Sequence, residues 1–243
     1  MQLRAGVALV TGAGRRVGRA IALALAAREM RVVVHYHASA AEADETVRLA
    51  RDAGAPDAWA IAADLRDPAA ARRLVDEAAA RGGALDVLVN SAAEMHRTSF
   101  ADVTPAEWDD VMALNLRAPF FCAQAAARHL APRGGAIVNI ADLAGMEAWP
   151  AYIPHGISKA GVLQLTRALA YALAPAIRVN AVVPGAVMLP EHWSAEDAAR
   201  LVRTTPLARL GTPEDVARAV VYLLESDYVT GDALIVDGGR HVR

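Results

Sequence analysis

The stretch "AYIPHGISKAG", residues 151–161, sets an imidazole, His155, four residues before an ammonium, Lys159. At that spacing on a helix the two side chains share one face, a turn apart. An imidazole titrates near neutral pH and can serve as an acid or base, although a neighbouring ammonium does not help its acid form. Lys159 is the only lysine among 25 Lys and Arg residues, and the two types are not interchangeable in a proton relay.

A second group of residues points to the partner of this chemistry. "ALVTGAGRRVGRAIALAL" places Gly12, Gly14 and Gly18, with Arg15, Arg16 and Val17, between an apolar run and an amphipathic one. Glycines in such a turn let backbone amides and a helix dipole approach a pyrophosphate, which marks a dinucleotide site. The next apolar run ends in His35, Tyr36, His37 and Ser39, with no acid before Glu42. An NAD site wants a carboxylate there for the ribose hydroxyls, whereas guanidinium, imidazole and hydroxyl groups can bind a 2′-phosphate. The expected cofactor is NADP(H), and no metal is expected.

Elements must hold these groups in place. "GVALVTG", "RVVVHY", "AWAIAAD", "LDVLVNS", "GAIVNIAD", "IRVNAVVPG" and "ALIVDGG" read as strands, short, β-branched and closed by Gly, Asn or Asp. Between them lie segments of helical spacing over 18–30, 40–54, 68–83, 105–130, 157–174 and 212–226, several opened by Ser, Thr or Asp with Pro in the first turn. Strands apolar on both faces that alternate with helices predict a parallel sheet covered on both sides. Residues 184–211 are too long for an ordinary connection, and such an excursion is expected to be a substrate lid.

With these pieces placed, the chain resembles the short-chain dehydrogenase/reductase family over nearly its whole length. The match runs from "TGAGRRVG" through "AADLRD", "LVNSAA", "LNLRAPF", "IVNIAD", "SKAG", "RVNAVVPG" and "PLARLGTPEDVARAVVYLL" to "VTGDALIVDGG". The resemblance implies an α/β fold, a Rossmann-like doubly wound parallel sheet of seven strands with helices on both faces, as a single domain over 1–243. It implies that Asp64 and Leu65 border the adenine, and that Asn90, Ser91 and Ala92 line the middle of the cofactor. Pro184, Gly185 and Val187 would back the nicotinamide, Lys159 would hold its ribose, and Asn115 would hold a water of the proton relay. The family's Tyr-x-x-x-Lys reads His155-x-x-x-Lys159 here, and thirteen residues earlier Asp142 stands where serine is usual. "TGAGRRVG", with Arg16 in place of a usual glycine, followed by "HYHASAAEA", looks like the pteridine reductases, whose pattern also has that aspartate.

A carboxylate beside an imidazole favours imidazolium, so Asp142 with His155 could keep a proton available near neutral pH. Imidazole ends roughly 2 Å short of a phenol, and a misplacement of about 1 Å can cost on the order of a hundredfold in rate. Pocket walls are expected from Arg16, Glu94, Met95, His96, Met146, Trp149, Tyr152, Met188, Leu189, His192 and Trp193. Aromatic and thioether groups among them could sandwich a flat heterocycle. The reading is an NADPH-dependent reductase of a C=O or C=N substrate, similar to a pteridine reductase. Its alternatives are a 3-oxoacyl or steroid-type carbonyl reductase and a silent NADP(H)-binding protein.

The 243 residues are 55% hydrophobic and 21% charged with net charge −2, which favours a small-molecule substrate over nucleic acid or an anionic membrane. The first residues show no charged leader or long apolar span, and the one cysteine, Cys122, reads as a packed thiol. A cytoplasmic location is expected. The resemblance implies a homotetramer, or a dimer, built through the long helices and the last strand.

Overall fold

A computed structural model describes residues 3–189 and 194–242. Seven strands, β1 (Val7–Val10), β2 (Arg31–Tyr36), β3 (Ala58–Ala62), β4 (Val87–Asn90), β5 (Ala136–Ile140), β6 (Arg178–Pro184) and β7 (Ala233–Val236), form one parallel sheet. The strand order is β3-β2-β1-β4-β5-β6-β7. Successive side chains of a strand point to opposite faces, and both faces here are apolar. Ala8, Val10, Val32 and Val34 pack under α1 (Arg16–Ala26) and α8 (Pro213–Glu225), and α2 (Ala40–Asp52) covers the same side. Val7, Leu9, Val33 and Leu88 pack under α3 (Pro68–Gly82) and α5 (Ala118–Leu130) on the other. The expected doubly wound sheet is therefore present.

The chain runs outward from β1 to β3, then returns to add β4 on the other flank of β1. Open α/β sheets bind ligands at such a reversal, in the crevice beyond the carboxyl ends of the strands. Gly12 sits there with φ +64°, and a Cβ on it would stand 2.9 Å from the Cα of Ala92. Only glycine lets the end of β1 lie this close to the end of β4.

Three elements differ from their sequence pattern. The helix expected over 105–130 is interrupted: α4 (Pro105–Met112) passes into a wide π turn, Ala113–Arg117, before α5. Wide turns of this kind are frequent at functional sites, and this one carries Asn115. Next, α6 (Ile153–Leu173) starts four residues before its apolar spacing does, with Pro154 in its first turn, so His155 and Lys159 lie on one helix. Finally, the excursion after β6 contains α7 (Ala195–Thr204), opened by a reciprocal Ser194–Asp197 cap. No helix among the described residues is long and apolar enough to cross a membrane.

Candidate active site

Asp142, Asn115, His155 and Lys159 converge beyond the carboxyl ends of β4 and β5. Asp142 caps a short 3-10 turn, Leu143–Gly145, with Oδ1 accepting from the Ala144 amide at 2.8 Å. Its Oδ2 stands 3.9 Å from His155 Nε2. Two glycines make this approach possible. A Cβ on Gly145 would lie 2.8 Å from the Ala160 amide nitrogen, and one on Gly156 would lie 2.8 Å from the Ala144 oxygen. The turn therefore rests directly on the backbone of α6. Lys159, 4% exposed, donates from Nζ to the Ile140 carbonyl at 2.8 Å. Burial pulls its pKa from 10.5 down to about 8, against the opposing pull of the Asp142 carboxylate.

Proton accounting fixes the tautomer of His155. The Glu94 amide donates to Asn115 Oδ1 at 2.9 Å, which orients the Asn115 amide. Asn115 Nδ2 then donates to the Glu94 carbonyl at 2.9 Å and to Ser158 Oγ at 3.1 Å, and its two protons are used. Ser158 can accept because its own proton goes to the His155 carbonyl, 2.6 Å away. His155 Nδ1 is 3.4 Å from Asn115 Nδ2 and 3.2 Å from the Glu94 oxygen. With no proton left on Asn115, Nδ1 must carry the hydrogen and donate it to Glu94. Nε2 is the remaining nitrogen, buried and without a hydrogen-bond partner among the described residues. An orphaned buried polar atom is costly, and such atoms are characteristic of functional sites.

The glycine turn opens α1. Arg15, at its N-cap, makes no side-chain cap bond, and the first turn holds no acid. By contrast Asp67, Thr104, Ser194 and Thr212 cap α3, α4, α7 and α8 with their side chains. The orphan amides of α1 and its dipole thus face the crevice unoccupied by any side-chain cap, as an anion site requires. Arg15 and Arg16 are exposed there, while Val17 packs against the core. Arg16 adopts φ +55°, a left-handed conformation costing about 1–2 kcal/mol for a non-glycine residue. The sequence of this turn, its charge and the acid-free end of β2 fit a phosphorylated dinucleotide.

Several expected cofactor contacts are corrected. His35 does not face a phosphate: it is 2% exposed, accepts from the Gly12 amide on Nδ1 at 3.0 Å, and holds the Ala63 carbonyl with Nε2 at 3.1 Å. Burial pushes its pKa down to about 4, so the ring is a neutral strut under the turn. Leu65 turns into the core, and the Asn90 side chain donates inward to Asn139 at 2.9 Å, so both could meet a nucleotide only through backbone. Tyr36 is half-buried against the core, His37 is exposed with Nε2 3.9 Å from Asp64 Oδ2, and Ser39 opens α2. Ser91 and Ala92 donate their amides to Thr11 Oγ1 at 2.9 and 3.0 Å. Pro184 ends β6, Gly185 donates to the Val236 carbonyl, and Val187 packs beneath.

Pocket residues divide likewise. Met95, Met146 and Met188 are 40%, 52% and 40% exposed, a set of solvent-facing thioethers. Trp149 and Tyr152 contact edge to face at 6.2 Å, and Arg240 covers Trp149 at 5.7 Å. Leu189 is half-buried, whereas His192 and Trp193 lie outside the described residues. Glu94 does not present a free carboxylate, because Arg66 Nη2 bonds its Oε2 at 2.7 Å and His96 lies 3.5 Å from it. Cys122 is buried, which pushes its pKa up to about 12, and the thiol is inert.

The family model described as enoyl-(acyl carrier protein) reductase matches residues 12–241. A protein of Streptomyces violaceoruber named as a ketoacyl reductase of granaticin polyketide synthase is 41% identical, across 98% of this chain and 97% of its own. The 3-oxoacyl-[acyl-carrier-protein] reductase FabG of Staphylococcus aureus is 36% identical, across 97% and 98%. Among solved structures, one from Sinorhizobium meliloti described as a short-chain alcohol dehydrogenase superimposes with a TM-score of 0.94 at 37% identity, covering 100% of this chain and 99% of that one. Acetoin dehydrogenase YohF of Salmonella typhimurium gives a TM-score of 0.89 at 32% identity, covering 98% and 96%.

Proposed function

Since the chain belongs to the short-chain dehydrogenase/reductase family of nicotinamide-dependent oxidoreductases, we propose that it is an NADPH-dependent reductase of a ketone, of the 3-oxoacyl type, in which His155 donates the proton. The observation that carries this reading is the unpartnered Nε2 of His155, 3.9 Å from the Asp142 carboxylate. That separation exceeds a hydrogen bond. Nε2 thus faces Asp142 without being tied to it, and a proton it takes up from solvent can pass to a third group.

When bound, the reduced nicotinamide supplies the hydride. The protein's own residues do the rest. His155 Nε2, once it has taken up a proton from solvent, gives it to the oxygen that becomes negative, while Nδ1–H stays on the Glu94 carbonyl and fixes the ring. Asp142, whose side chain is 23% exposed, stabilises the protonated ring and connects it to solvent. Lys159 spends one proton on Ile140 and has two others for the ribose and for the developing charge. The uncapped amides of α1 with Arg15 and Arg16 hold the phosphates, joined by His37 and Ser39 at the 2′-phosphate. The described part of the excursion after β6, with α7, serves as a lid, and copies of the chain assemble through α5, α6 and β7 in the cytoplasm. Supporting this, Tyr171 and Phe120 are 91% and 41% exposed, and β7 is a half-exposed edge strand.

A second reading, reduction of a pterin, is favoured by Asp142 beside His155 and by Arg16 at the mouth of the crevice. The test follows NADPH absorbance with a 3-oxoacyl thioester mimic, a dihydropterin and a quinone. Turnover fastest on the thioester supports the first reading, turnover confined to dihydropterin supports the second, and tight NADPH binding without turnover contradicts both.

A further inference from the structure

The carbonyl that receives Nδ1–H belongs to a segment with no regular structure. Residues 91–99 after β4 form neither helix nor strand, and Ala93, Met95, His96 and Arg97 in it are exposed. Glu94 within it is held at both ends. Its backbone pairs reciprocally with the Asn115 amide, and its carboxylate meets Arg66. Arg66 is in turn fixed on several sides: Nε donates to Asp110 Oδ1 at 2.7 Å, Nη1 lies 3.6 Å from Asp64 Oδ1, and its carbonyl accepts from Arg117 Nη2 at 2.9 Å. A guanidinium presents a planar fork that locks two carboxylates in fixed directions, which an ammonium does not.

Stability alone does not account for this contact. Glu94 Oε1 is buried and has no partner among the described residues, so the carboxylate is held in a half-satisfied position, a weak source of net stability. We propose that Arg66, acting through Glu94, is the positioning residue that holds His155 in the tautomer whose Nε2 is free to work. The inference rests on the proton-donor reading of His155 given above. Without Arg66 the Glu94 carboxylate has, among the described residues, no charge partner at short range except the exposed His96, and turns out to water. Its carbonyl then leaves His155 Nδ1, and the ring reverts to the Nε2–H tautomer that free imidazole side chains prefer. The polar chain from His37 through Asp64, Arg66 and Glu94 to His155 also joins the expected phosphate end of the crevice to its reacting end.

The tautomer can be read without turnover, by long-range 1H–15N spectra of ring-labelled histidine in the protein without added cofactor, His155 being assigned by its loss in His155→Gln. At a pH where the ring is neutral, native protein is expected to show a protonated Nδ1 and an unprotonated Nε2. Arg66→Met and Glu94→Ala are expected to move the proton largely to Nε2, and Glu94→Gln, which can still accept from Arg66, to keep it on Nδ1. In Arg66→Met and Glu94→Ala kcat should fall about tenfold or more, with KM for NADPH within about twofold of native, and Glu94→Gln should stay close to native. A neutral native His155 with its proton on Nε2, or Nδ1–H retained in both Arg66→Met and Glu94→Ala, would overturn the proposal. If Arg66→Met fails to fold, Glu94→Ala decides alone. Absence of any reductase turnover would count against the proton-donor reading, while the tautomer spectra would still judge the clamp.

Discussion

Lys159 offers an unusually direct experiment, since a chain with one lysine gives one lysine signal. Burial brings its pKa from 10.5 down to about 8. At about 1.4 kcal/mol per pKa unit, holding the ammonium inside costs the fold about 3 kcal/mol near neutral pH. Lys159→Met removes that cost and leaves the Ile140 carbonyl short of one donor, a loss of about 1 kcal/mol. The variant should therefore be more stable than native protein by about 2 kcal/mol at neutral pH, and inactive. The sign with pH follows from linkage. Between the folded value near 8 and the unfolded 10.5 the unfolded chain binds more protons, so native stability rises across that window and the advantage of methionine disappears. Carbon-13 labelling of lysine gives the titration itself, and urea midpoints at fixed protein concentration give the stability. Asp142→Asn should lower the Lys159 pKa further, because the carboxylate opposes burial. A lysine signal titrating at 10.5, or a methionine effect that does not change with pH, would refute this reasoning.

Other expectations concern the dinucleotide end. NADPH should bind at least about tenfold tighter than NADH, given an acid-free β2 end and two exposed arginines; equal affinities in a fluorescence titration would contradict the assignment. Arg16→Gly should gain about 1 kcal/mol by relieving the left-handed residue while weakening NADPH binding, which melting curves and titrations would separate. His35 has a folded pKa near 4 against 6.5 unfolded, so its contribution is present above pH 6.5 and lost as pH falls through 4. That acid limb, on the order of 3 kcal/mol, should flatten in His35→Gln, as urea midpoints at several pH values would show.

The elements were legible in the sequence because each strand is apolar on both faces and each connecting helix on one, a pattern that leaves little besides a covered parallel sheet. The spacing of His155, Lys159 and Asp142 likewise carried through to the site. What the linear pattern could not convey were contacts made by backbone. The break at Ala113–Arg117 is invisible in an apolar spacing that runs on through it. Glu94 read as a pocket acid, yet its carbonyl is the part that meets His155. His35 sat among expected phosphate ligands because it lies next to the end of β2, but side chains alternate along a strand and this one points down to Gly12. Thr11, Arg66 and Ser158 gave no signal of their own, since their partners lie many residues away. The glycines Gly145 and Gly156 could have been noticed as a pair flanking the aspartate and the histidine.

The proton donor is the point on which the account stands, and single-turnover reduction with prebound NADPH and excess 3-oxoacyl thioester tests it. Native protein should oxidise the cofactor in one phase, and Asp142→Asn and His155→Gln should each slow that phase about a hundredfold or more with NADPH affinity unchanged. Native rates in either variant would show that the proton comes from elsewhere.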